Sequence, residues 1–369
     1  MRIALTGGGT GGHFFPIIAV AREIRRIVGE KEECDFLFLG PSTEMERDAL
    51  AKEDIEQKPI ISGKMRRYFS GLNFLDIFKL PVGLVQALWH LLAFMPDAVF
   101  AKGGYASVPV VIAARIYRIP VLIHESDVMP GLANQILSKF AQRIALSFSG
   151  SESFFPDRKI FLAGNPIRSE FAIADVPAAQ RFFSLEPEKK VVLVMGGSQG
   201  AKAINEAITH LLPRILPKWE LIHLTGKNGY EEVVSEAGKL GFKAGRGGYH
   251  PFPFLSDEMA LALAAADVVV SRAGANSLSE IAANAKPAII IPIDSSANNH
   301  QEQNAFVFSQ AGAAIVLEQN NLGENILFAK IQEILEDKEL SFELSERIKK
   351  FYNPQAPELI ATEIIQLAR

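Results

Sequence analysis

The feature that most constrains the fold is a pair of glycine-rich turns, one at the start of each half of the chain. A short apolar strand, Ile3 to Thr6, leads into the first turn at residues 7–12, and a second, Val191 to Met195, leads into the other at 196–200. Each turn opens a helix, where bare backbone N–H groups can approach an anion and the helix dipole favours negative charge. The pattern predicts two nucleotide-type domains that face a shared cleft containing phosphate chemistry.

Composition narrows the class of protein. A chain of 369 residues with 48% apolar and 22% charged residues is long enough for two globular domains. Its net charge of -4 argues against a nucleic-acid partner. Cys34 is the single cysteine, which excludes an internal disulfide. Met1 and Arg2 lead directly into a strand rather than a signal peptide, so we expect the protein to act in the cytoplasm.

Short Val- and Ile-rich strands alternate with longer helical segments, which indicates an α/β fold of parallel sheets covered on both faces. We expect one Rossmann-like domain over residues 1–166, a linker over 167–189 and a second Rossmann-like domain over 190–340. Helices over 341–369 would pack back on the first domain. The predicted strands are 3–6, 36–39, 98–101, 121–124, 144–148, 160–163, 191–195, 221–224, 268–271, 288–292 and 314–317.

One long apolar segment, Phe74 to Phe94, interrupts this alternation. Its uninterrupted part is too short to cross roughly 30 Å of hydrocarbon. Patterning favours a buried helix pair of the first domain. The alternative is an interfacial helix that dips an apolar face into a bilayer while nearby basic residues meet anionic head groups. Those basic residues are Lys64, Arg66, Arg67 and Lys79.

The turns themselves permit several chemistries. Neither is a Walker loop, because Lys-Ser/Thr does not follow at the required position. Gly7, Gly9 and Gly12 have the G-x-G-x-x-G spacing of a dinucleotide site, yet the acidic residue expected after the second strand is absent. His13 directly after the glycines is either a hydrogen-bonded structural residue or a catalytic one. No metal-binding motif is present, and we expect neither a metal nor another cofactor.

Several motifs in order along the chain resemble those of the MurG family of bacterial peptidoglycan glycosyltransferases. The similarity runs from the N-terminus to about Leu317. The motifs are residues 8–16, 102–109, 124–125 with 130–134, 164–168, 196–201, and 272–275 with 279–281. The resemblance implies the two-domain GT-B fold. It also implies transfer of N-acetylglucosamine from UDP-N-acetylglucosamine to undecaprenyl-linked muramyl-pentapeptide (lipid I), giving lipid II at the cytoplasmic face of the cell membrane, with peripheral attachment through the Phe74 to Phe94 region.

The resemblance also implies roles for individual residues. His13 is the candidate general base for the acceptor C4 hydroxyl, in a single displacement that inverts the anomeric centre. Arg168 and the helix start after Ser198 would stabilise the departing diphosphate. The other donor-side residues are Thr10, Gly11, Gly12, Asn134 and Gln301 at the sugar, Leu255 at uracil, Glu280 at the ribose, and Ala275, Asn276 and Ser277 at the sugar or phosphates. Tyr105, His124 and Glu125 belong to loops assigned to the acceptor.

The chain departs from the family pattern after His124. Relatives commonly have Glu-Gln-Asn there, whereas this sequence has Glu125-Ser126-Asp127, so acceptor binding is expected to differ in detail. Two other functions remain open at this point. A UDP-sugar 2-epimerase shares the architecture but needs no lipid-facing segment, and a nucleotide-sugar-binding protein would have lost catalysis.

Overall fold

The computed structural model describes residues 1–8, 11–29, 32–63, 71–172, 175–197, 200–293 and 299–369. These residues form two compact units. The first comprises residues 1–168 and 353–369, and the second comprises residues 169–352.

Strands and helices alternate through the first unit. Its elements are β1 (Arg2–Thr6), α1 (Gly11–Val28), β2 (Asp35–Gly40), α2 (Glu44–Lys52), β3 (Glu56–Pro59), α3 (Gly71–Phe94), β4 (Ala98–Ala101), α4 (Ser107–Ile116), β5 (Val121–Glu125), α5 (Leu132–Leu137), β6 (Arg143–Leu146) and β7 (Ile160–Leu162).

The second unit repeats this alternation, and a last helix returns to the first unit. The elements are α6 (Val176–Phe183), β8 (Val191–Met195), α7 (Lys202–Ile215), β9 (Glu220–Leu224), α8 (Tyr230–Lys239), β10 (Tyr249–Phe252), α9 (Met259–Ala265), β11 (Val268–Ser271), α10 (Ala275–Ala283), β12 (Ala288–Ile290), α11 (His300–Gln310), β13 (Ile315–Val316), α12 (Glu324–Glu336), α13 (Lys338–Lys349) and α14 (Ala356–Ala368).

Each unit contains one sheet whose described strands are all parallel. The strand orders are β3-β2-β1-β4-β5-β6-β7 in the first unit and β10-β9-β8-β11-β12-β13 in the second. In both, the chain reverses its direction of travel across the sheet beside the strand that carries a glycine turn: between β1 and β4, and between β8 and β11. Such switch points, at the carboxyl ends of parallel strands, are where α/β folds bind ligands. The parallel α/β architecture expected from the sequence is confirmed.

Apolar cores cover both faces of the first sheet. Helices α1 and α14 pack on one face, where Ile360 and Ile364 of α14 join Ile3 and Leu5 of β1. Helices α3 and α4 pack on the other face. Because every residue of the central strand β4 is buried, its sequence is apolar throughout rather than alternating.

The apolar segment forms one helix, α3, with Pro81 inside it, and not the predicted helix pair. Its inner face is core, since Ala87 and Leu91 are at most 1% exposed. Its outer face stays apolar and open to solvent: Val85 is 66%, Trp89 68% and Leu92 55% exposed. The side chains of residues 71–78, and the basic residues 64, 66 and 67, lie outside the described part. No described helix is long and apolar enough to cross a bilayer.

The unit boundaries differ from the expected ones. Most of the predicted linker, 167–189, belongs to the second unit, where the Phe183 ring lies 5.5 Å from that of Phe252 and the Asn284 amide donates to the Phe171 carbonyl at 2.6 Å. Of the predicted C-terminal helices, α13 stays in the second unit and only residues 353–369 join the first. The segment predicted as a linker contains an amphipathic helix, α6, with Ala179 and Phe183 buried. It therefore packs within the second unit and is not an extended connection.

Two strands escaped the sequence prediction, β3 and β10. Both are edge strands. The sequence of β3, Glu-Gln-Lys-Pro, is polar, and β10 contains Pro251, which is tolerated only where one side of a strand is unpaired.

Candidate active site

The first glycine turn lies where the backbones of β1 and β4 meet. The Lys102 N–H donates to the Thr6 carbonyl at 2.9 Å. The loop after β1 and the loop after β4 therefore begin next to each other. A Cβ on Gly7 would lie 2.8 Å from the His13 carbonyl oxygen and 3.1 Å from Lys102 Cβ. No side chain fits at this position. The glycine therefore allows α1 to begin against the end of the sheet.

His13 occupies the first turn of α1 and is partly exposed. Its ring lies against Gly104, because a Cβ there would be 3.4 Å from His13 Cδ2, and the Gly104 φ of +78° favours glycine in any case. Arg168, which is buried, stacks its guanidinium 4.6 Å from the centre of the Phe15 ring. The first switch point thus brings together an imidazole, a bare glycine loop and a guanidinium.

Glu125 organises the neighbouring loop. It is buried, and its carboxylate accepts hydrogen bonds from the backbone N–H groups of Asp127 at 3.0 Å and Gly131 at 3.1 Å, and from Asn134 Nδ2 at 2.9 Å. Burial and the charge of Asp127 raise the pKa of Glu125 to about 7. Asn134 in turn lies against Gly103, where a Cβ would come within 2.7 Å of its Oδ1.

The resemblance assigned His124 and Glu125 to acceptor-side loops, whereas the structure places them at the end of the strand predicted over 121–124. Both belong to β5, and His124 is fully buried. Its Nε2 lies 3.1 Å from the Gly164 carbonyl, and burial lowers the pKa of His124 well below its usual value, so the ring is neutral and donates to that carbonyl. Its contact is with the start of the 164–168 segment. Tyr105, which is partly exposed, does lie in the loop between β4 and α4.

Lys102 was missed by the sequence analysis. It is 1% exposed, and among the described residues its Nζ makes no hydrogen bond. Burial lowers the pKa of Lys102 to about 8, against the opposing charges of Glu125 and Asp127. The signal was available: Lys102 follows β4 before two glycines, just as Arg272 follows β11 before Ala273 and Gly274.

The second glycine turn is as closely packed as the first. A Cβ on Gly200 would lie 2.5 Å from the Thr225 carbonyl oxygen, and one on Gly196 would lie 2.7 Å from the backbone nitrogen of Ala201. Both contacts are with backbone atoms, which cannot give way as a flexible side chain can. The turn is therefore restricted to glycine at both positions. Ser198 itself, like Thr10 in the first turn, lies outside the described residues.

A buried polar chain supports this turn. Burial lowers the pKa of His223 to about 3, so its ring is neutral. Its Nδ1 lies 3.4 Å from the Tyr249 hydroxyl, and its Nε2 lies 3.1 Å from Asn205 Oδ1. The Asn205 amide then donates to the Thr225 carbonyl at 2.9 Å, beside Gly200. No local sequence pattern predicts this network, since its members come from α7, β9, β10 and the loop after β9.

At the second switch point, α10 begins directly after β11. Ala275, Asn276 and Ser277 form its first turn, and Gly274 offers no side chain to cap their N–H groups. Glu280 follows further along the same helix and is partly exposed. The buried Arg272 fixes this corner, because its guanidinium donates to the Ile291 carbonyl at 3.1 Å.

Leu255 and Gln301 lie in neighbouring loops of the second unit. Leu255 is buried in the loop after β10. Gln301 stands in the first turn of α11, where its Oε1 accepts from the Ile293 N–H at 3.2 Å. Its side chain thus anchors the chain that leaves β12. Within the described ranges, no three His, Cys, Asp or Glu side chains converge as metal ligands would.

The chain matches two domain families. Residues 3–146 match the glycosyltransferase family 28 N-terminal domain, and residues 191–359 match the glycosyltransferase family 28 C-terminal domain. Each match contains one of the two glycine turns.

Two relatives that match over more than nine-tenths of this chain share one enzyme name. The UDP-N-acetylglucosamine--N-acetylmuramyl-(pentapeptide) pyrophosphoryl-undecaprenol N-acetylglucosamine transferase of Clostridium perfringens is 36% identical, over 92% of this chain and 91% of the relative. A Bacillus anthracis protein with the same name, ending in "transferase 2", is 34% identical, over 98% of this chain and 99% of the relative.

Two solved structures have similar folds to this chain but differ in sequence identity to it. MurG of Acinetobacter baumannii is 25% identical, with a TM-score of 0.73 and 99% of both chains covered. The UDP-GlcNAc 2-epimerase of Neisseria meningitidis, bound to UDP-GlcNAc, has a TM-score of 0.71 over 99% of this chain and all of its own, but only 13% identity. The epimerase shares the fold alone.

Proposed function

The chain belongs to the MurG family of UDP-N-acetylglucosamine-dependent N-acetylglucosaminyltransferases, and on this premise we propose how its residues carry out the transfer. The reaction moves N-acetylglucosamine from UDP-N-acetylglucosamine to lipid-linked N-acetylmuramyl-pentapeptide, lipid I, and yields lipid II for peptidoglycan. The observation that carries this function is identity of 34–36% over 92–98% of the chain to transferases of that name, in a chain that matches both family 28 domains.

The first unit, in this proposal, supplies the base. The acceptor C4 hydroxyl attacks the anomeric carbon of the donor, and His13 takes its proton, because an imidazole can accept a proton near neutral pH. One displacement breaks the bond to UDP and inverts the anomeric centre, giving a β-1,4 linkage. Partial exposure of His13 and the bare Gly104 beside its ring leave room for a sugar hydroxyl.

The second unit binds the donor. The N–H groups at the start of α10, from Ala275 to Ser277, face the carboxyl edge of the sheet and suit a diphosphate or sugar oxygen. Glu280 accepts the ribose hydroxyls, and the backbone of the buried Leu255 pairs with uracil. Gln301, Ser198 and, from the first unit, Thr10, Gly11, Gly12 and Asn134 complete the proposed donor set.

Charge on the departing UDP needs stabilisation, which we assign to helix N-termini and Arg168. The guanidinium of Arg168 is held over Phe15, two residues from His13, so it is presented in a fixed orientation. Tyr105 is proposed to contact the acceptor. Buried His124 and Glu125 act on the acceptor side indirectly, by shaping the loops at residues 164–168 and 126–131.

Attachment to the membrane is proposed to use the outer face of α3. Val85, Trp89 and Leu92 are more than half exposed on a helix whose other face is core. Apolar side chains displayed in this way bury favourably at the boundary between head groups and acyl chains. This surface would hold the enzyme peripherally at the cytoplasmic face of the cell membrane, where lipid I is presented.

Incubation of the purified chain with UDP-N-acetylglucosamine, with and without a lipid I analogue, tests the function. We expect UDP release only when the acceptor is present, in a one-to-one ratio with a disaccharide product of β configuration. Conversion of the donor to its 2-epimer without an acceptor would identify an epimerase. Donor binding without either product would identify a binding protein.

A further inference from the structure

A buried ammonium lies near two carboxylates at the carboxyl edge of the first sheet. Lys102 directly follows β4, and the parallel pairing of β4 with β5 brings it beside the end of β5, where Glu125 is the last residue. The Lys102 side chain is 1% exposed, and its Nζ makes no hydrogen bond to a described residue. Burial lowers the pKa of Lys102, whereas the charges of Glu125 and Asp127 raise it. The side chain therefore interacts with both carboxylates through its charge and not through a directed hydrogen bond.

A charged side chain in this position costs free energy. Burial without a hydrogen bond disfavours the ammonium form of Lys102. A methionine, which has a similar length, would fill the same space without that cost. Residues that break a packing rule are expected at functional sites. The charge of Lys102, and not its bulk, is therefore the property to explain.

The balance of charge around Glu125 depends on Lys102. Burial and the charge of Asp127 raise the pKa of Glu125, whereas the charge of Lys102 lowers it. Ionised carboxylates accept stronger hydrogen bonds than neutral groups do. Lys102 therefore favours the form of Glu125 that most tightly holds its two backbone donors, the N–H groups of Asp127 at 3.0 Å and Gly131 at 3.1 Å.

Those two donors lie near the ends of the loop between β5 and α5, residues 126–131. The same carboxylate accepts from Asn134 Nδ2 at 2.9 Å, so one group fixes both the loop and the first turn of α5. The loop contains Ser126 and Asp127, at which this chain departs from the family pattern. Asp127 adds a negative charge there beside Glu125, and Lys102 supplies the opposite charge.

We propose that Lys102 is a positioning residue for the acceptor, which compensates the like charges of Glu125 and Asp127 and so fixes the loop at 126–131. Without the ammonium, the two carboxylates repel each other, and either Glu125 takes up a proton or Asp127 moves away. Either response weakens the hydrogen bonds that hold the loop. The inference rests on the proposed role of this loop on the acceptor side and names a further residue on which acceptor binding depends.

The kinetic test is Lys102→Met, alone and combined with Asp127→Asn, which removes one of the two like charges. Alone, Lys102→Met should raise the KM for a water-soluble lipid I analogue by about tenfold, a typical coupling between neighbouring groups, while kcat changes by less than about twofold. In the Asp127→Asn background, the same change should raise KM by less than about threefold. Lys139→Met, at an exposed lysine of the same unit, is the matched control and should leave KM unchanged.

Hydrogen exchange measures the loop without turnover. In Lys102→Met, the amides of Asp127 and Gly131 should exchange about tenfold faster than in the wild type, and addition of Asp127→Asn should restore most of their protection. Absence of transfer by the wild type would refute the proposed function, and the exchange rates would still test the effect of Lys102 on the loop.

Several results would overturn the proposal. They are an unchanged KM or unchanged exchange in Lys102→Met, an equal rise in KM in both backgrounds, and a fall in kcat with KM unchanged. Loss of folding in both Lys102→Met and Lys102→Gln would also overturn it, because Lys102 would then support the fold itself.

Discussion

The Asn134 amide donates at 2.9 Å to the Glu125 carboxylate, and the same Nδ2 donates at 3.0 Å to the carbonyl of His124. This pair ties the start of α5 to the end of β5. Glu125 also accepts from two backbone N–H groups of the intervening loop, at Asp127 and Gly131. One buried carboxyl therefore fixes the loop whose sequence departs from the family pattern.

Glu125→Gln should remove a pH-dependent part of the stability. The pKa of Glu125 is raised to about 7, so between its ordinary value and 7 the native state binds more protons than the unfolded state. The contribution of Glu125 to the free energy of unfolding is therefore present at low pH and is lost as pH rises through about 7. Gln cannot titrate, and it replaces one of the two hydrogen-bond-accepting oxygens of Glu125 with an NH₂ group. We expect this loss to lower the free energy of unfolding by about 1–3 kcal/mol. In urea unfolding, the advantage of wild type over the variant should be greater at pH 5 than at pH 8. An advantage that grows with pH would mean that the donors stabilise the anion.

Lys102→Met should stabilise the protein at neutral pH. Burial lowers the pKa of Lys102 to about 8, so an ammonium without a described hydrogen bond costs free energy at pH 7, and a methionine of similar length removes that cost. We expect the free energy of unfolding to rise by about 1 kcal/mol or more at pH 7. Between pH 8 and 10.5 the unfolded wild type binds more protons, so the gain should shrink there. Destabilisation at pH 7 would show that the ammonium has a strong partner.

Glu280→Ala should weaken donor binding more than it slows catalysis. Loss of a carboxylate that accepts two ribose hydroxyls is expected to cost about 1.5–3 kcal/mol of binding free energy, or about tenfold or more in Kd for UDP. Calorimetry with UDP measures this directly. Glu231→Ala, an exposed carboxylate on α8, is the matched control and should leave Kd unchanged. Equal Kd values for Glu280→Ala and wild type would remove Glu280 from the ribose site.

Trp89→Ser with Leu92→Ser should abolish vesicle binding without unfolding the chain. Both side chains are more than half exposed, so their loss costs little stability but removes about 3 kcal/mol or more of burial at a bilayer. Vesicle sedimentation, with circular dichroism as the check on folding, measures both. Leu91→Ser on the buried face should instead destabilise the fold by about 2–5 kcal/mol. Vesicle binding at the wild-type level in the double variant would contradict the attachment surface.

The central strands and both switch points were predictable because fully buried parallel strands have uniformly apolar sequences, as β4 and β8 do. The edge strands β3 and β10 were not, since an edge tolerates polar residues and proline. Nor could the division of the last helices be foreseen: α14 is more apolar than α13, but neither sequence specifies which core its helix meets.

The site was predictable in position more than in detail. Gly7 and Gly200 lie at close backbone contacts, Gly104 has a positive φ, and His13 lies beside Gly104. In contrast, the burial of Lys102 and His124 and the hydrogen bonds of Glu125 depend on register between β1, β4 and β5, which no local pattern specifies. The roles of the site residues stay predictions.

The turnover of His13→Ala, compared with its affinity for UDP-N-acetylglucosamine, tests the proposed transfer most directly. If His13 removes the acceptor proton, kcat with a lipid I analogue should fall by about 10²–10⁴ while donor Kd changes less than twofold. His210→Ala, an exposed histidine of the second unit, should match wild type in both. Wild-type turnover in His13→Ala would contradict the assignment of the base and, with it, the mechanism built on the first glycine turn.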